Sequence, residues 1–464
     1  MKMEYPINLT AVIAAAIGPS GKNDEYLFML DSFLLNSSSQ LHLDDADHTG
    51  DSDTKALATM TRFIQQNTNL FHFFAVGSNQ HEQLLLQNNQ MPLIDQDQIL
   101  ELTESVLVVP KEVGSVEINR LYAGGGHSAL VTNNGTCYLW GCNELSQLGS
   151  WDAQVVIDNC IFPITQKVFS LKDLKVDVVA LGHDHSLVIE KNTGWVYAFG
   201  NNRRQQCGQC NGKSVIDSPA IPEILAGVRC IDVAAGVFHS AVITEKGELI
   251  TFGCPKISLS LNQNSSRWQP QDGSRLVKVC CGKRHTVALD EFGRIWTFGE
   301  NIHGQLGRQT ADQSVSLIPE LIEHPLLRGK GCGCFHIDCG WSHNVALVKC
   351  NRTEQTDAYV WGRNDRGQLG LGTMESPVVQ PRLLQKLSQR STLEQVFCGS
   401  ESSLAVDVDG VLWSSGWNEH GNLGLNHTRD VSSFTPLEGL TIGKPRSQIL
   451  VATGCAHTLV AVIT

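Results

Sequence analysis

Six histidines in this chain share one setting: a glycine, two variable residues, the histidine, then a side chain able to hydrogen-bond. They are His127, His185, His239, His285, His343 and His457, followed by Ser128, Ser186, Ser240, Thr286, Asn344 and Thr458. An imidazole beside a hydroxyl is the raw material of base-activated nucleophiles, and imidazole is a common metal ligand. Six equivalent copies are not six active sites, however. A side chain carried by nearly every unit answers a need of every unit, and the expected role is to hydrogen-bond its own turn. Two cysteine groupings have ligand-like spacing: Cys207-Gly-Gln-Cys210, and Cys332, Cys334, His336 and Cys339, of which the first three would share a strand face. A structural zinc of this kind calls for a matched second pair, which the chain does not supply. The 15 cysteines read instead as reduced thiols packing as small apolar side chains. Cys280, Cys281, Cys339 and Cys398 all stand just before a Gly-x-x-His turn. No phosphate-binding glycine loop with a lysine, no Gly-x-Ser-x-Gly and no His-Glu-x-x-His is present. The expectation is therefore no metal site, no cofactor, and no hydrolytic, transferase or redox activity.

What positions these residues is a repeat. A second motif, aromatic-Gly followed by Asn and Gly-Gln-Leu-Gly in its fullest form, opens at Gly77, Gly141, Gly200, Gly253, Gly299, Gly362 and Gly416. The histidine motif also occurs seven times, with Ser402 in place of histidine in one copy. Repeats of about 46 to 64 residues indicate a propeller or solenoid. Six units run histidine half, then glycine half; a glycine half at Phe73–Leu85 and a histidine half at Leu450–Ile463 are left over. Pairing these two closes a ring and removes the exposed edges of an open array. The predicted fold is all-β: a seven-bladed β-propeller over residues 71–464, closed by its N-terminal and C-terminal half-repeats. Gly135, Gly194, Gly247, Gly293 and Gly410 fall where two-residue hairpins need positive φ. Leu148, Leu306, Leu369 and Leu423 are placed to fill gaps between blades, and Asn301 and its equivalents to tie down the loop.

Composition narrows the partners. Lys plus Arg number 35 against 47 acids, a net charge of −12, which disfavours nonspecific nucleic-acid or nucleosome binding and polybasic membrane adsorption. The apolar stretch Leu9–Ile17 is too short to span a bilayer and is poorly flanked for a signal peptide. A cytoplasmic monomer, with nuclear localisation also open, is expected. Residues 1–70 match no repeat. They hold an apolar piece at Tyr26–Leu35, an acidic run from Asp44 to Asp53, and a candidate amphipathic helix at Ala56–Ile64. The readings are a loosely ordered extension, or an arm that docks partners or autoinhibits.

Function has to lie where the repeats differ. The two residues between glycine and histidine occupy loops that a ring gathers at one mouth of its channel. In order they are Gly125-Gly126, His183-Asp184, Val237-Phe238, Lys283-Arg284, Trp341-Ser342, Ser400-Glu401 and Cys455-Ala456. His183, Asp184, Phe238, Lys283, Arg284, Trp341 and Glu401 are the partner-binding candidates, because Arg and Trp dominate protein-binding hot spots.

The paired motifs resemble the regulator of chromosome condensation family, seven-bladed propellers whose founding member is a chromatin-bound exchange factor for the small GTPase Ran. Within it, Gly416-Trp417-Asn418-Glu419-His420-Gly421, Gly124-Gly125-Gly126-His127-Ser128, Cys339-Gly340-Trp341-Ser342-His343 and Cys398-Gly399-Ser400-Glu401 resemble the secretion-linked exchange-factor branch. The resemblance implies guanine nucleotide exchange on a small GTPase, with a non-catalytic protein scaffold as the alternative. In the Ran factor an acidic residue just before a repeat histidine takes part in exchange, and Asp184 stands at that place. Three features depart from that factor: an acidic rather than basic N-terminal arm, a degenerate glycine half at Gly253-Cys254-Pro255-Lys256, and no clear wedge insertion, although Ser258–Gly273 has room to bulge.

Overall fold

Alternation of apolar residues, broken by glycine turns, dictates short antiparallel strands. The computed structural model describes residues 68–81, 83–84, 98–110, 117–149, 168–171, 174–210, 212–255, 267–310, 314–324, 332–350, 356–384, 393–437 and 449–462. Among them, 28 strands form seven four-stranded antiparallel sheets. Each of blades 1 to 6 is built from four consecutive strands, starting with Ile118–Ala123, Val176–Leu181, Cys230–Ala235, Leu276–Cys281, Cys332–Cys339 and Leu393–Cys398. Blade 7 takes two strands from each end of the chain: Thr68–Ser78 pairs with His457–Val462, Phe73 opposite Ala461 and Gly77 opposite His457. The predicted closure is thus the observed one. The expectations for residues 1–67 lie outside the described residues.

The hairpin glycines adopt positive φ as expected, with Gly247 at 80° and Gly293 at 76°. At the aromatic-Gly step the reason is close approach as well: a Cβ on Gly299 would lie 2.5 Å from the Arg284 carbonyl oxygen. Leu148, Leu306, Leu369 and Leu423 are buried. Asn301 Oδ1 accepts from Leu306 N at 3.0 Å, and Asn143, Asn202, Asn364 and Asn418 repeat that bond in their own loops. In blade 3, whose glycine half is degenerate, the outermost strand shrinks to Arg267–Trp268. Cys207, standing where other units have leucine, is buried as that leucine would be.

The histidines correct the sequence reading. Their own turns close through the backbone, as when Gly124 N donates to His127 O at 2.8 Å, while the imidazole reaches into the next blade. Nε2 of His127, His185 and His457 lies 2.9 Å from the hydroxyls of Ser186, Ser240 and Ser128 respectively. His239 meets Thr286 at 3.0 Å, His343 meets Ser403 at 3.1 Å, and His285 meets Asn344 Oδ1 at 2.7 Å. Four of these hydroxyls, Ser128, Ser186, Ser240 and Ser403, then donate to a backbone carbonyl of the preceding blade's glycine half, as Ser186 to Gln147 O and Ser403 to Gln368 O, both at 2.7 Å. Asn344 fixes the tautomer. Its Nδ2 donates to Gln305 O at 2.9 Å, so its Oδ1 accepts and His285 must carry its proton on Nε2. Glycine is required beneath each ring. A Cβ on Gly282 would sit 2.1 Å from His285 Cε1 and 2.6 Å from the Gly340 carbonyl oxygen of the next blade.

Burial holds these imidazoles neutral, with His127, His239 and His343 lowered to about 3 and His185, His285 and His457 to about 4. The unfolded chain protonates near the ordinary value of about 6.5, so their stabilisation is complete above that pH and is lost as pH falls toward 4 to 3. Asp232 and Asp338, both raised by burial, act in the opposite direction, but they are two groups against six. Denaturant titration should show stability falling below pH 6, by at least about 1 kcal/mol per pH unit in total. A flat profile between pH 6.5 and 4.5 would refute the neutral ring. Ser402 leaves the junction of blades 6 and 7 without this bond, although Thr458 still donates to Asn422 O at 3.1 Å. Ser402→His should supply it and raise the unfolding free energy by about 0.5–1.5 kcal/mol, read from the shift in denaturation midpoint.

A candidate docking mouth

Because each Gly-x-x-His loop is pinned to its neighbour, the variable pairs stand on a rigid ring. Gly125 N donates to Gly182 O at 2.9 Å, and Cys455 N to Gly124 O at 2.9 Å, closing it across the chain ends. Between blades 4, 5 and 6 the contact shifts by one residue, with Lys283 N on Trp341 O and Trp341 N on Ser400 O, both at 2.8 Å.

Trp341 is engaged from two other blades. Lys283 Nζ sits 4.9 Å from its ring centroid, and His183 of blade 2 comes within 6.2 Å, centroid to centroid. The indole therefore lies across the mouth. Below it runs a central cavity of about 600 Å³ lined by the first strand of every blade. Burial pushes the Cys455 thiol up to about 12, and a hydrogen bond with the Trp341 side chain offsets only part of that. Cys280, Cys281, Cys339 and Cys398 line the same cavity, with Cys280 and Cys339 Sγ 2.6 Å apart. They are not simply interior fillers. His336 is engaged at both ring nitrogens, 3.1 Å from Lys278 Nζ and 3.1 Å from Val396 O, and Cys334 Sγ contacts His336 O.

Five of the seven sequence-predicted residues share one hollow of about 390 Å³ beside Trp341. Phe238, Lys283, Arg284, Trp341 and Glu401 line it together with Glu300, Ile302, His303, Ser342 and Arg363. Arg284 stacks 5.6 Å from the Phe238 ring centroid and reaches Glu300 Oε1 at 3.2 Å. Arg363 bonds both Glu401 and Asp365. Cation–π and ion pairs of this kind hold the walls without spending every donor. Glu300, Ile302, His303 and Arg363 were missed from sequence because attention fell on the histidine half alone. They come from the variable positions just after the aromatic-Gly glycine, whose backbone docks on the same loops: Glu300 N on Arg284 O at 2.9 Å, Arg363 N on Ser342 O at 2.8 Å.

The other two predicted residues, His183 and Asp184, are not in that hollow. His183 Nδ1 lies 2.8 Å from Asp184 Oδ1, with the two side chains 40% and 32% exposed. Burial raises the Asp184 carboxyl, but His183 and the Asn201 side chain together outweigh it and hold it below its ordinary value. His183 is raised in turn, chiefly by Asp184. The rim thus presents an ionised, oriented carboxylate on one side and a cation-aromatic hollow on the other.

A closed ring of seven such blades, six of them clamped to the next through a buried histidine, defines a class: residues 72–460 match the RCC1-like domain, and the chain belongs to that family. Among its relatives, the secretion-regulating guanine nucleotide exchange factor of Bos taurus is 29% identical over 394 residues, covering 79% of this chain and 78% of the relative. The protein of the same name from Mus musculus is 30% identical over 371 residues, covering 74% and 75%. Yeast RCC1 (Prp20), solved bound to Kap60, shares the fold with a TM-score of 0.67 at 18% identity, covering 92% of this chain and 95% of that one.

If Trp341 seals the mouth, Trp341→Ala should expose Cys455. Lowering a thiol pKa by one unit multiplies its thiolate fraction about tenfold, so alkylation of Cys455, followed by peptide mass spectrometry, should accelerate at least about tenfold. An unchanged rate would show that the indole is not the seal.

Proposed function

We propose that this propeller is a guanine nucleotide exchange factor or regulator of a small GTPase, linked to secretion and working from the Trp341 mouth. The carrying observation is Asp184: a rim carboxylate kept ionised and aimed by His183 and Asn201, yet one-third exposed. A carboxylate so placed is fitted to pair with the lysine of a phosphate-binding loop and to compete there with Mg²⁺ and phosphate. Exchange then follows if the nucleotide-free GTPase binds more tightly than the loaded one. The names of the bovine and mouse relatives support the same reading. Free thiols throughout the described blades suit a reducing compartment, cytoplasmic or nuclear. The hollow of Phe238, Lys283, Arg284 and Trp341 would anchor the partner, since aromatic and arginine side chains in a preformed concavity make strong contacts. That same hollow is what a non-catalytic scaffold would use.

The test is release of a fluorescent guanine nucleotide from a panel of small GTPases, with wild type beside Asp184→Ala and Trp341→Ala. Wild type should accelerate release at least about tenfold for one member, corresponding to a barrier to release lowered by about 1.4 kcal/mol. Asp184→Ala should lose most of that acceleration while still binding, and Trp341→Ala should lose binding as well. Binding without acceleration would make the chain a scaffold.

A further inference from the structure

Where blades 4 and 5 meet, one side chain from the glycine-half loop of one blade lies beside two from the next, and the equivalent positions can be read off at other junctions. The contributing positions are the fourth residue after the aromatic-Gly glycine on one side, and the first and third on the other. At the junction of blades 4 and 5 they are His303, Arg363 and Asp365, of which the last two form an ion pair. At the junction of blades 5 and 6 they are Arg366, Trp417 and Glu419, and between blades 1 and 2 they are Leu145, Asn201 and Arg203. At the junction of blades 7 and 1 all three can ligate a metal: His81, Cys142 and Glu144. Their donor atoms lie within 4.8 Å of one another, and among the described residues no other group of three or more His, Cys, Asp or Glu side chains converges so closely.

We propose that His81, Cys142 and Glu144 form a zinc site on the rim of the mouth. Nitrogen, thiolate and carboxylate donors are the set zinc accepts, and a thiolate beside an imidazole disfavours magnesium and calcium. One thiolate and one carboxylate neutralise the ion's charge. Three protein ligands leave the fourth tetrahedral position open to water or to a group on a bound partner.

The local backbone is preset for this. His81 N donates to Gln83 Oε1 at 2.8 Å and Leu145 N to Gln147 Oε1 at 2.9 Å, so both ligand-bearing loops are braced by their repeat glutamines. Cys142 N donates to Gly126 O at 2.8 Å, which holds the thiol against the neighbouring loop. Gly126 is the second independent feature. Other blades carry Asp184, Phe238, Arg284, Ser342, Glu401 or Ala456 at that position. A Cβ there would meet His81 Cδ2 at 2.9 Å and Cys142 Cβ at 3.4 Å. The floor left without a side chain is what lets the imidazole settle over the thiol. Closing the donors to a zinc tetrahedron, with edges of roughly 3.5 Å, asks only for small rotations of three partly exposed side chains.

Cobalt(II), a spectroscopic substitute for zinc, is the probe, titrated into the full-length, reduced, metal-free protein. One equivalent should bind with a thiolate-to-cobalt charge-transfer absorption and the intense visible bands of tetrahedral cobalt, and one equivalent of zinc should displace it. Cys142→Ser and His81→Ala should abolish the charge-transfer band, and Glu144→Gln should weaken cobalt affinity by at least about tenfold. Cys254→Ser, at the position equivalent to Cys142 two blades on, should leave the band intact. Melting curves without metal should be the same for wild type and the loop variants, which separates ligand loss from misfolding. Absence of the band from wild type, or its survival in Cys142→Ser, would overturn the proposal.

Discussion

The hydrogen bond from a neutral imidazole to the hydroxyl or amide of the next blade is the interaction on which the rest depends. It imposes its own requirements in turn. The ring must lie flat over a glycine, which is why a Cβ at Gly182, Gly236 or Gly282 would collide with it. The acceptor must be held by a second bond, which the carbonyls of Gln147, Gln206 and Gln368 provide. Those glutamines do two jobs, bracing their own loops through the side chain and receiving the next blade through the backbone. These bonds point in one direction around the ring, are interrupted once at Ser402, and return through His457 and Ser128, alongside the strand pairing that closes blade 7. A buried bond of this kind is worth only about 1 kcal/mol net, but leaving its partners unpaired costs more. Such a lattice therefore specifies the spacing of blades more than it adds to their stability.

Much of this was legible in the sequence, and the failures are instructive. Blade number, ring closure, hairpin glycines and the loop-tying asparagines all follow from patterns within one unit, and all are present. The partner of the histidine was misread because it lies in another unit: His185 and Ser240 are 55 residues apart. A signal did exist. Every repeat histidine is followed by Ser, Thr or Asn, a regularity that no bond within one turn explains. The residues of the candidate docking hollow divided along the same line. Phe238, Lys283, Arg284, Trp341 and Glu401 came from reading variable positions in the histidine half, whereas Arg363 and His303 needed the knowledge that the two halves of a unit meet at the mouth. The convergence of His81 with Cys142 and Glu144 was invisible for a third reason. It depends on residues near the first strand meeting a blade that only ring closure brings alongside.

The mouth is consequently a composite surface in which no single loop dominates. Asp184 belongs to blade 2, whereas the hollow beside Trp341 draws on blades 3 to 6. A partner engaging both must span the opening and cannot simply insert a peptide into one blade gap. The two regions are joined through Trp341, which lines the hollow and also packs within 6.2 Å of His183, so a change at that indole reaches both.

Trp341 gives this arrangement a further meaning. The indole contacts residues of blades 4 and 2 above the central cavity, and the thiols and the Lys278–His336 pair line the space beneath it. One molecule thus offers two chemically unlike addresses, an ionic plateau on one side and a sulfur-rich recess on the other. An occupant of the recess could press on the underside of the indole and be felt on the plateau without any blade having to move.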